Sequence, residues 1–206
     1  MRRLVCVIEG HGERESVPVL CNRVIRGLLG VSGDWFVDEE PIRQPRSKLV
    51  DESVKSPKRP CHADGIRRAL AIAAARSPDG VLVLCDVDDD CPATWGPSVP
   101  RVTTASGGAI AVAAVMASRE YESWLLWGAS LAERTRAKAV DPERSPRDAK
   151  KALRVLVPEY TPTTHQLEQT RALDLQLVWA LSDSFDKFVR SIATVIQVTT
   201  PVRPKP

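Results

Sequence analysis

Two short apolar runs, residues 4–8 (LVCVI) and 81–85 (VLVLC), lack the alternation of apolar and polar positions that marks a half-exposed strand. A strand covered on both faces in a parallel sheet has this composition, so both runs are predicted to be buried strands. Residues 109–117 are compatible with a helix or a buried strand. Gly107 and Gly108 before them, and Arg119 and Glu120 after them, favour a strand.

Helices are predicted where apolar residues recur at three- and four-residue spacing. One begins at Glu13 and ends at Gly30, a residue type that commonly terminates helices. A second covers residues 64–75, and short strands are predicted around 35–37 and 42–44. In the second half of the chain, helices are predicted over residues 121–132, 146–157 and 164–173, and from 175 or 182 to 196.

The alternation of strand and helix up to residue 132 predicts an α/β fold, an open and mostly parallel sheet flanked by helices. We expect a core over residues 1–132 and a helical C-terminal extension, residues 133–200, packed on that core. Residues 201–206 contain three prolines and are expected to form a flexible tail. The 206 residues provide enough chain for a substantial core.

Composition excludes a wholly disordered chain, because 43% of the residues are hydrophobic and 27% are charged. The net charge of +3 is too small to indicate a polyanionic partner by itself. Residues 43–68, however, contain eight basic and three acidic residues. This local excess can hold a phosphate backbone, and the alternative is a solvated surface loop. The candidate nucleic-acid-binding residues are Arg43, Arg46, Lys48, Lys58 and Arg59.

The five cysteines are odd in number and include no Cys-x-x-Cys pair. Buried thiols in a reducing compartment explain this pattern better than disulfides or zinc, so a cytoplasmic location is expected. The longest uncharged stretch, residues 102–118, is rich in small residues and too short for a membrane-spanning helix. We therefore expect no membrane association.

Acidic residues follow the two clearest predicted strands. Glu9 closes the first, Glu13 comes four residues later, and Asp86, Asp88 and Asp90 follow the other at two-residue spacing. Parallel strands end at one sheet edge, so these carboxylates are expected to converge. Oxygen-only ligands select magnesium or manganese, and two such ions about 4 Å apart would support phosphoryl transfer. Alternatively, Glu13 interacts with its helix dipole and residues 88–90 form an acidic turn.

The two acidic motifs, residues 7–13 (VIEGHGE) and 82–90 (LVLCDVDDD), resemble the signature motifs of the TOPRIM domain. The first has the Glu-Gly-x-x-Glu form typical of OLD-family nucleases. Further stretches extend the resemblance to a bacterial TOPRIM-related group, domain-of-unknown-function family 4276. They are residues 88–92 (DDDCP), 119–126 (REYESWLL), 147–150 (RDAK), 165–166 (HQ), 173–175 (LDL) and 182–185 (SDSF). The resemblance covers residues 4 to about 196 and implies a TOPRIM, or Rossmann-like, sheet.

The resemblance implies roles for the acidic residues. Glu9 would be the general base or the acid that organises the metal. Two divalent ions are expected. Besides Glu9, the residues that would hold them are Glu13, Asp86 and Asp88, with Asp90 as a further ligand. Glu120 and Glu122 would stand beside this edge as further metal-site residues. The alternatives are that Glu120 is an acid at a helix start and Glu122 a surface residue. Lys150 resembles the lysine that stabilises the phosphate transition state in OLD-type nucleases, with an exposed helical lysine as the alternative.

We therefore expect the protein to be a nuclease that hydrolyses phosphodiester bonds of DNA or RNA with Mg²⁺ or Mn²⁺. Bacterial phage defence is one biological role that such a nuclease could have. The alternative is a non-catalytic subunit that binds nucleic acid or a partner and works with a separately encoded ATPase. A nucleotidyl-transfer or primase-like activity is a third possibility. The chain contains no Gly-x-x-x-x-Gly-Lys-Ser/Thr motif, so an ATPase would have to be another chain.

Overall fold

The computed structural model describes residues 1–105, 110–145 and 148–205. Its centre is a five-stranded sheet in which each strand pairing is parallel. The main path of the sheet has the order β2-β1-β4-β5, and β3 pairs with the carboxyl end of β1. This confirms the predicted fold class. The strands are β1 (Arg2–Ile8), β2 (Trp35–Val37), β3 (Ile42–Arg43), β4 (Gly80–Asp86) and β5 (Ala111–Ala117).

Helices connect the strands and form the C-terminal region. Those of the first half are α1 (Glu13–Arg23), α2 (Arg46–Leu49), α3 (Ala63–Ala74) and α4 (Pro92–Ala105). Those after β5 are α5 (Glu122–Trp127), α6 (Leu131–Arg136), α7 (Ala149–Leu156), α8 (Pro162–Ala172), α9 (Leu175–Leu181) and α10 (Asp183–Ile196). A π-helical turn, Val24–Leu28, continues α1.

Alternate residues of the central strands enter two different apolar clusters, because successive side chains of a strand point to opposite faces. Leu4, Cys6 and Ile8 pack with residues of α1, α9 and α10. Val5 and Val7 pack on the other face with residues of α3 and α4. Helix α10 contacts β4 and β5 directly, so the C-terminal helices share one core with the sheet. The predicted division at residue 132 stays a prediction.

Two helical segments differ from the sequence pattern. Helix α4 was not predicted, because Pro97 and Pro100 remove backbone donors from its interior. The single helix predicted over residues 121–132 is divided into α5 and α6. Gly128 lies at the division, where an added Cβ would come within 2.6 Å of Leu173 Cδ1. Ser130 and Glu133 then form a capping box that starts α6.

Some predictions fall on residues outside the described ranges. These residues are Gly107, Gly108, Ala109, Pro146, Arg147 and Pro206. Within the predicted tail, Arg203 donates hydrogen bonds to the carbonyl oxygens of Trp179 and Ala180. All five cysteines are free. None of the helices in the described ranges combines the length and apolar character needed to cross a membrane.

Candidate active site at the carboxyl edge of the sheet

Four carboxylates line one cavity of about 270 Å³ at the carboxyl edge of the sheet. Glu9 follows β1, Asp86 ends β4, and Glu122 begins the helix after β5. Glu13 reaches the same place from the first turn of α1. The four come together because β1, β4 and β5 are parallel neighbours whose ends meet at one edge. This space is called the acidic cavity below.

Glu13 is buried against the loop that connects β1 to α1. Its Oε2 accepts hydrogen bonds from the backbone N–H groups of Glu9, at 3.1 Å, and Gly10, at 3.2 Å. Burial raises the pKa of Glu13 to about 7, although the Gly10 hydrogen bond acts to lower it and the Glu9 charge adds to the increase. Glu13 therefore exchanges a proton near neutral pH.

Asp86 and Glu122 carry similarly perturbed carboxyl groups. Burial, followed by repulsion from Glu13, Glu122 and Glu9, raises the pKa of Asp86 well above its usual range. Its Oδ1 accepts the backbone N–H of Tyr121 at 2.9 Å. Burial also raises the pKa of Glu122, and Lys150 opposes that increase. Burial and mutual repulsion thus favour the protonated forms of these carboxyl groups, and a bound cation would favour the ionised forms.

Lys150, on α7, also lines the acidic cavity and brings an amino group to it. Its Nζ lies 3.3 Å from Glu120 Oε1 and 3.7 Å from Glu122 Oε2. Burial acts to lower the pKa of Lys150, but the attraction of Glu122, Asp86 and Glu120 outweighs it and the pKa is raised. Lys150 is therefore a charged, half-buried side chain of the site, and Glu120 is its ion-pair partner.

A second charged group lies next to the acidic cavity, and we call it the arginine cluster: Arg46, Arg59, Asp88 and Asp90. Arg46 Nη1 is 3.3 Å from Glu9 Oε2 and 3.2 Å from Asp88 Oδ2, and Arg46 Nη2 pairs with Asp90 Oδ2. Arg59 Nη1 is 3.3 Å from Asp90 Oδ1. The structure thus places Asp88 and Asp90, two expected metal ligands, against guanidinium groups.

The same contacts separate the five candidate nucleic-acid-binding residues into two groups. Arg46 and Arg59 bind carboxylates of the chain itself. Arg43 is exposed and donates from Nε to His11 Nε2 at 3.1 Å. Lys48 and Lys58 are also exposed. Phosphate contacts by residues 43–68 would therefore come first from Arg43, Lys48 and Lys58.

The backbone is strained where β4 and β5 end. Asp88 has a φ of 47° and Arg119 a φ of 64°, which is the left-handed region that non-glycine residues seldom adopt. The Asp88 N–H donates to the Arg119 carbonyl at 3.1 Å, so the two residues hold each other in place. Strained residues of this kind concentrate at functional sites, and Asp88 itself belongs to the arginine cluster.

The donor chemistry of the acidic cavity fits a hard divalent cation, because it consists of carboxylates whose mutual repulsion such an ion would relieve. The present side-chain arrangement does not form a coordination shell. Within the ranges that the structure describes, no group of three or more His, Cys, Asp or Glu side chains is placed so that it could hold a metal ion. Arg46 and Lys150 instead draw neighbouring carboxylates towards themselves.

Three contributors to the site were not predicted as site residues. Cys85 Sγ donates to Glu9 Oε2 at 3.0 Å, and the Tyr160 hydroxyl donates to Glu122 Oε1 at 3.2 Å. Gln166, on α8, lines the acidic cavity. An added Cβ at Gly12 would lie 2.2 Å from Gln166 Oε1, so α8 packs directly on the β1–α1 loop. Apolar spacing contains no signal for this contact, since it joins residues far apart in the chain.

No family model, curated protein or solved structure matches the chain. The protein is accordingly described by its α/β fold and by the acidic cavity at the carboxyl edge of its sheet.

Stability is expected to decrease as the pH rises from 4.5 to about 7 because of Glu13. The unfolded carboxyl ionises near 4.5, whereas the folded one keeps its proton to about 7. In this window the folded chain binds more protons, so increasing pH favours unfolding by up to about 3 kcal/mol. Denaturant unfolding at pH 5 and pH 8 measures the effect. Glu13→Gln should reduce the pH dependence without abolishing it, because the pKa values of Asp86 and Glu122 are raised as well. Glu15→Gln, an exposed control in α1, should leave the pH dependence intact. Equal slopes in both variants would contradict the assignment.

Proposed function

We propose that the acidic cavity is the active site of a divalent-metal-dependent phosphodiesterase that cleaves DNA or RNA. The observation that carries the proposal is the gathering of Glu9, Glu13, Asp86 and Glu122 around one cavity with Lys150 beside them. The resemblance of the two acidic motifs to the TOPRIM domain and OLD-family nucleases supports the same chemistry. Mg²⁺ or Mn²⁺ is the proposed cofactor.

In this proposal the carboxylates of the acidic cavity hold the metal, which would supply an activated water and stabilise the leaving oxygen. Glu9 is the proposed general base or metal-organising acid. Lys150 is placed to attract the phosphate charge that develops during the reaction. Asp88, Asp90 and Glu120 are secondary candidates, because each already binds a cationic side chain. To bind a second ion, Asp88 would have to break its ion pair with Arg46.

A cleavage assay tests the proposal directly. The purified chain is incubated with Mg²⁺ or Mn²⁺ and with end-labelled single-stranded DNA, duplex DNA and RNA. We expect cleavage of at least one polymer, dependence on the added metal, and loss of cleavage in EDTA and in Asp86→Asn. Absence of cleavage with every metal and polymer, or undiminished cleavage by Asp86→Asn, would contradict the proposal.

The alternative proposal is a non-catalytic subunit that binds nucleic acid or a protein partner, including a separately encoded ATPase. The observation that favours it is the neutralisation of Glu9, Asp88 and Asp90 by the arginines of the chain itself. Such ion pairs maintain a fold without any metal. The alternative predicts polynucleotide affinity without cleavage in the same assay.

Either proposal predicts a salt-dependent affinity for polynucleotides. Phosphate contacts release condensed counterions, so changing Arg43, Lys48 and Lys58 to Ala should reduce the slope of log affinity against log salt. The expected reduction is up to about 0.9 for each lost contact on duplex DNA. Fluorescence anisotropy at several salt concentrations measures the slope. A charge-matched control carries alanines at exposed Arg26, Lys187 and Lys205; an equal reduction there would show a non-specific effect of net charge.

A further inference from the structure

One wall of the acidic cavity contains no acid. It is formed by the first turns of α8, through Pro162, Thr163 and Gln166. Gln166 is only 2% exposed, and its Nε2 is buried without a hydrogen-bond partner within the described ranges. Buried polar atoms in folded proteins are almost always hydrogen-bonded. An unpaired donor beside a cavity therefore indicates that something bound in the cavity accepts from it.

The direction of α8 strengthens this indication. The helix has 11 residues and starts at Pro162, so its N-terminal end lies at the acidic cavity. The Thr161 side chain forms no capping hydrogen bond, whereas the Thr161 backbone N–H donates to His165 Nδ1 at 3.1 Å. Pro162 has no N–H, and those of Thr164 and His165 donate to the Thr161 carbonyl. The Thr163 N–H and the positive end of the helix dipole are left to attract an anion. Gln166 and the helix end thus favour the same kind of ligand.

Gln166 is also fixed in place. The close approach of α8 to the β1–α1 loop is possible only because residue 12 is glycine: a Cβ there would lie 2.4 Å from Pro162 Cβ. Packing of this kind limits the movement of the Gln166 side chain in the cavity wall. The cavity thus has an acidic side that suits a cation and a donor side that suits an anionic oxygen.

We propose that Gln166 and the first turn of α8 bind a non-bridging oxygen of the phosphate group at which the polynucleotide is cleaved. This inference rests on the proposed function, because it assigns the donor side of the same cavity. Lys150 would share the phosphate charge from the carboxylate side. Gln166 acts here as a substrate-binding residue.

Inorganic phosphate is the probe, added to the full chain with and without Mg²⁺. In a ¹⁵N-labelled sample, the side-chain amide signal of Gln166 should shift as phosphate is titrated. Gln166→Met keeps the length of the side chain and removes the donor, so phosphate affinity should fall roughly tenfold or more, as for a hydrogen bond to a charged group. Gln169→Met, half-buried on the same helix, is the matched control and should bind phosphate as the wild type does.

The outcomes separate this inference from the proposed function. Cleavage activity with no effect of Gln166→Met on phosphate affinity or on KM for the polynucleotide would overturn the inference alone. Phosphate binding that requires Gln166 in a chain without nuclease activity would overturn the proposed function alone. A wild-type Gln166 amide signal that does not respond to phosphate would also overturn the inference, and this result needs no variant to fold. Mn²⁺ affinity should be unchanged in Gln166→Met; a loss of Mn²⁺ affinity with unchanged phosphate affinity would assign Gln166 to the metal instead.

Discussion

Replacing Glu9 by Gln is expected to lower the rate of metal-dependent cleavage about 10²–10⁴-fold while the chain still folds. Glu9 Oε2 accepts from Cys85 Sγ at 3.0 Å and from the Asp86 N–H at 3.3 Å. An amide oxygen can accept the same hydrogen bonds, so the shape of the site is kept. The charge that a metal or a transferred proton needs is lost. Single-turnover cleavage of the polymer that the wild type cuts fastest measures the change.

Glu15→Gln is the control for Glu9→Gln. Glu15 is exposed on α1, close to Glu9 in the chain, and it does not line the acidic cavity. The control should cleave at the wild-type rate. If Glu9→Gln retains most of the activity, the cleavage arises at another site or from a contaminating nuclease.

Arg46→Ala is expected to lower the free energy of unfolding by about 3 kcal/mol. Asp90 has no exposed side-chain surface, and Arg46 and Arg59 both pair with it. Arg46 also donates to the Asp86 carbonyl at 2.8 Å, which ties the end of β4 to α2. Removal of the Arg46 side chain leaves the buried Asp90 carboxylate with Arg59 as its remaining ion-pair partner. It also removes a contact that holds the loop after β4. Urea unfolding monitored by circular dichroism measures the loss.

Two further variants identify the cause of that loss. Arg43→Ala removes an exposed arginine of the same segment and should change stability by no more than about 0.5 kcal/mol. Arg46→Ala combined with Asp90→Asn should be more stable than Arg46→Ala, because the second substitution neutralises the uncompensated charge. Similar stabilities for Arg46→Ala and Arg43→Ala would show that the arginine cluster does not hold the site together.

The sequence alone was sufficient for the fold class and for the position of the acidic edge. Uninterrupted apolar runs identify β1 and β4 because strands buried on both faces tolerate few polar residues. Glu9 and Asp86 could be placed at one sheet edge because parallel neighbouring strands end together. Both inferences depend on local patterns, namely apolar runs and the acidic residues that follow them, and such patterns can be seen within a short stretch of sequence.

Which carboxylates share a cavity, and which are held by arginine, was decided only by the tertiary structure. Asp86 and Asp88 are two residues apart, yet Asp86 faces Glu13 and Glu122 while Asp88 pairs with Arg46. Residues at two-residue spacing face the same way only in an extended chain, and the left-handed backbone at Asp88 ends that conformation. Gln166 enters the site through α8, far along the chain, because Gly12 permits close packing there. Such long-range contacts depend on side-chain volume and helix placement, and neither is encoded in local periodicity.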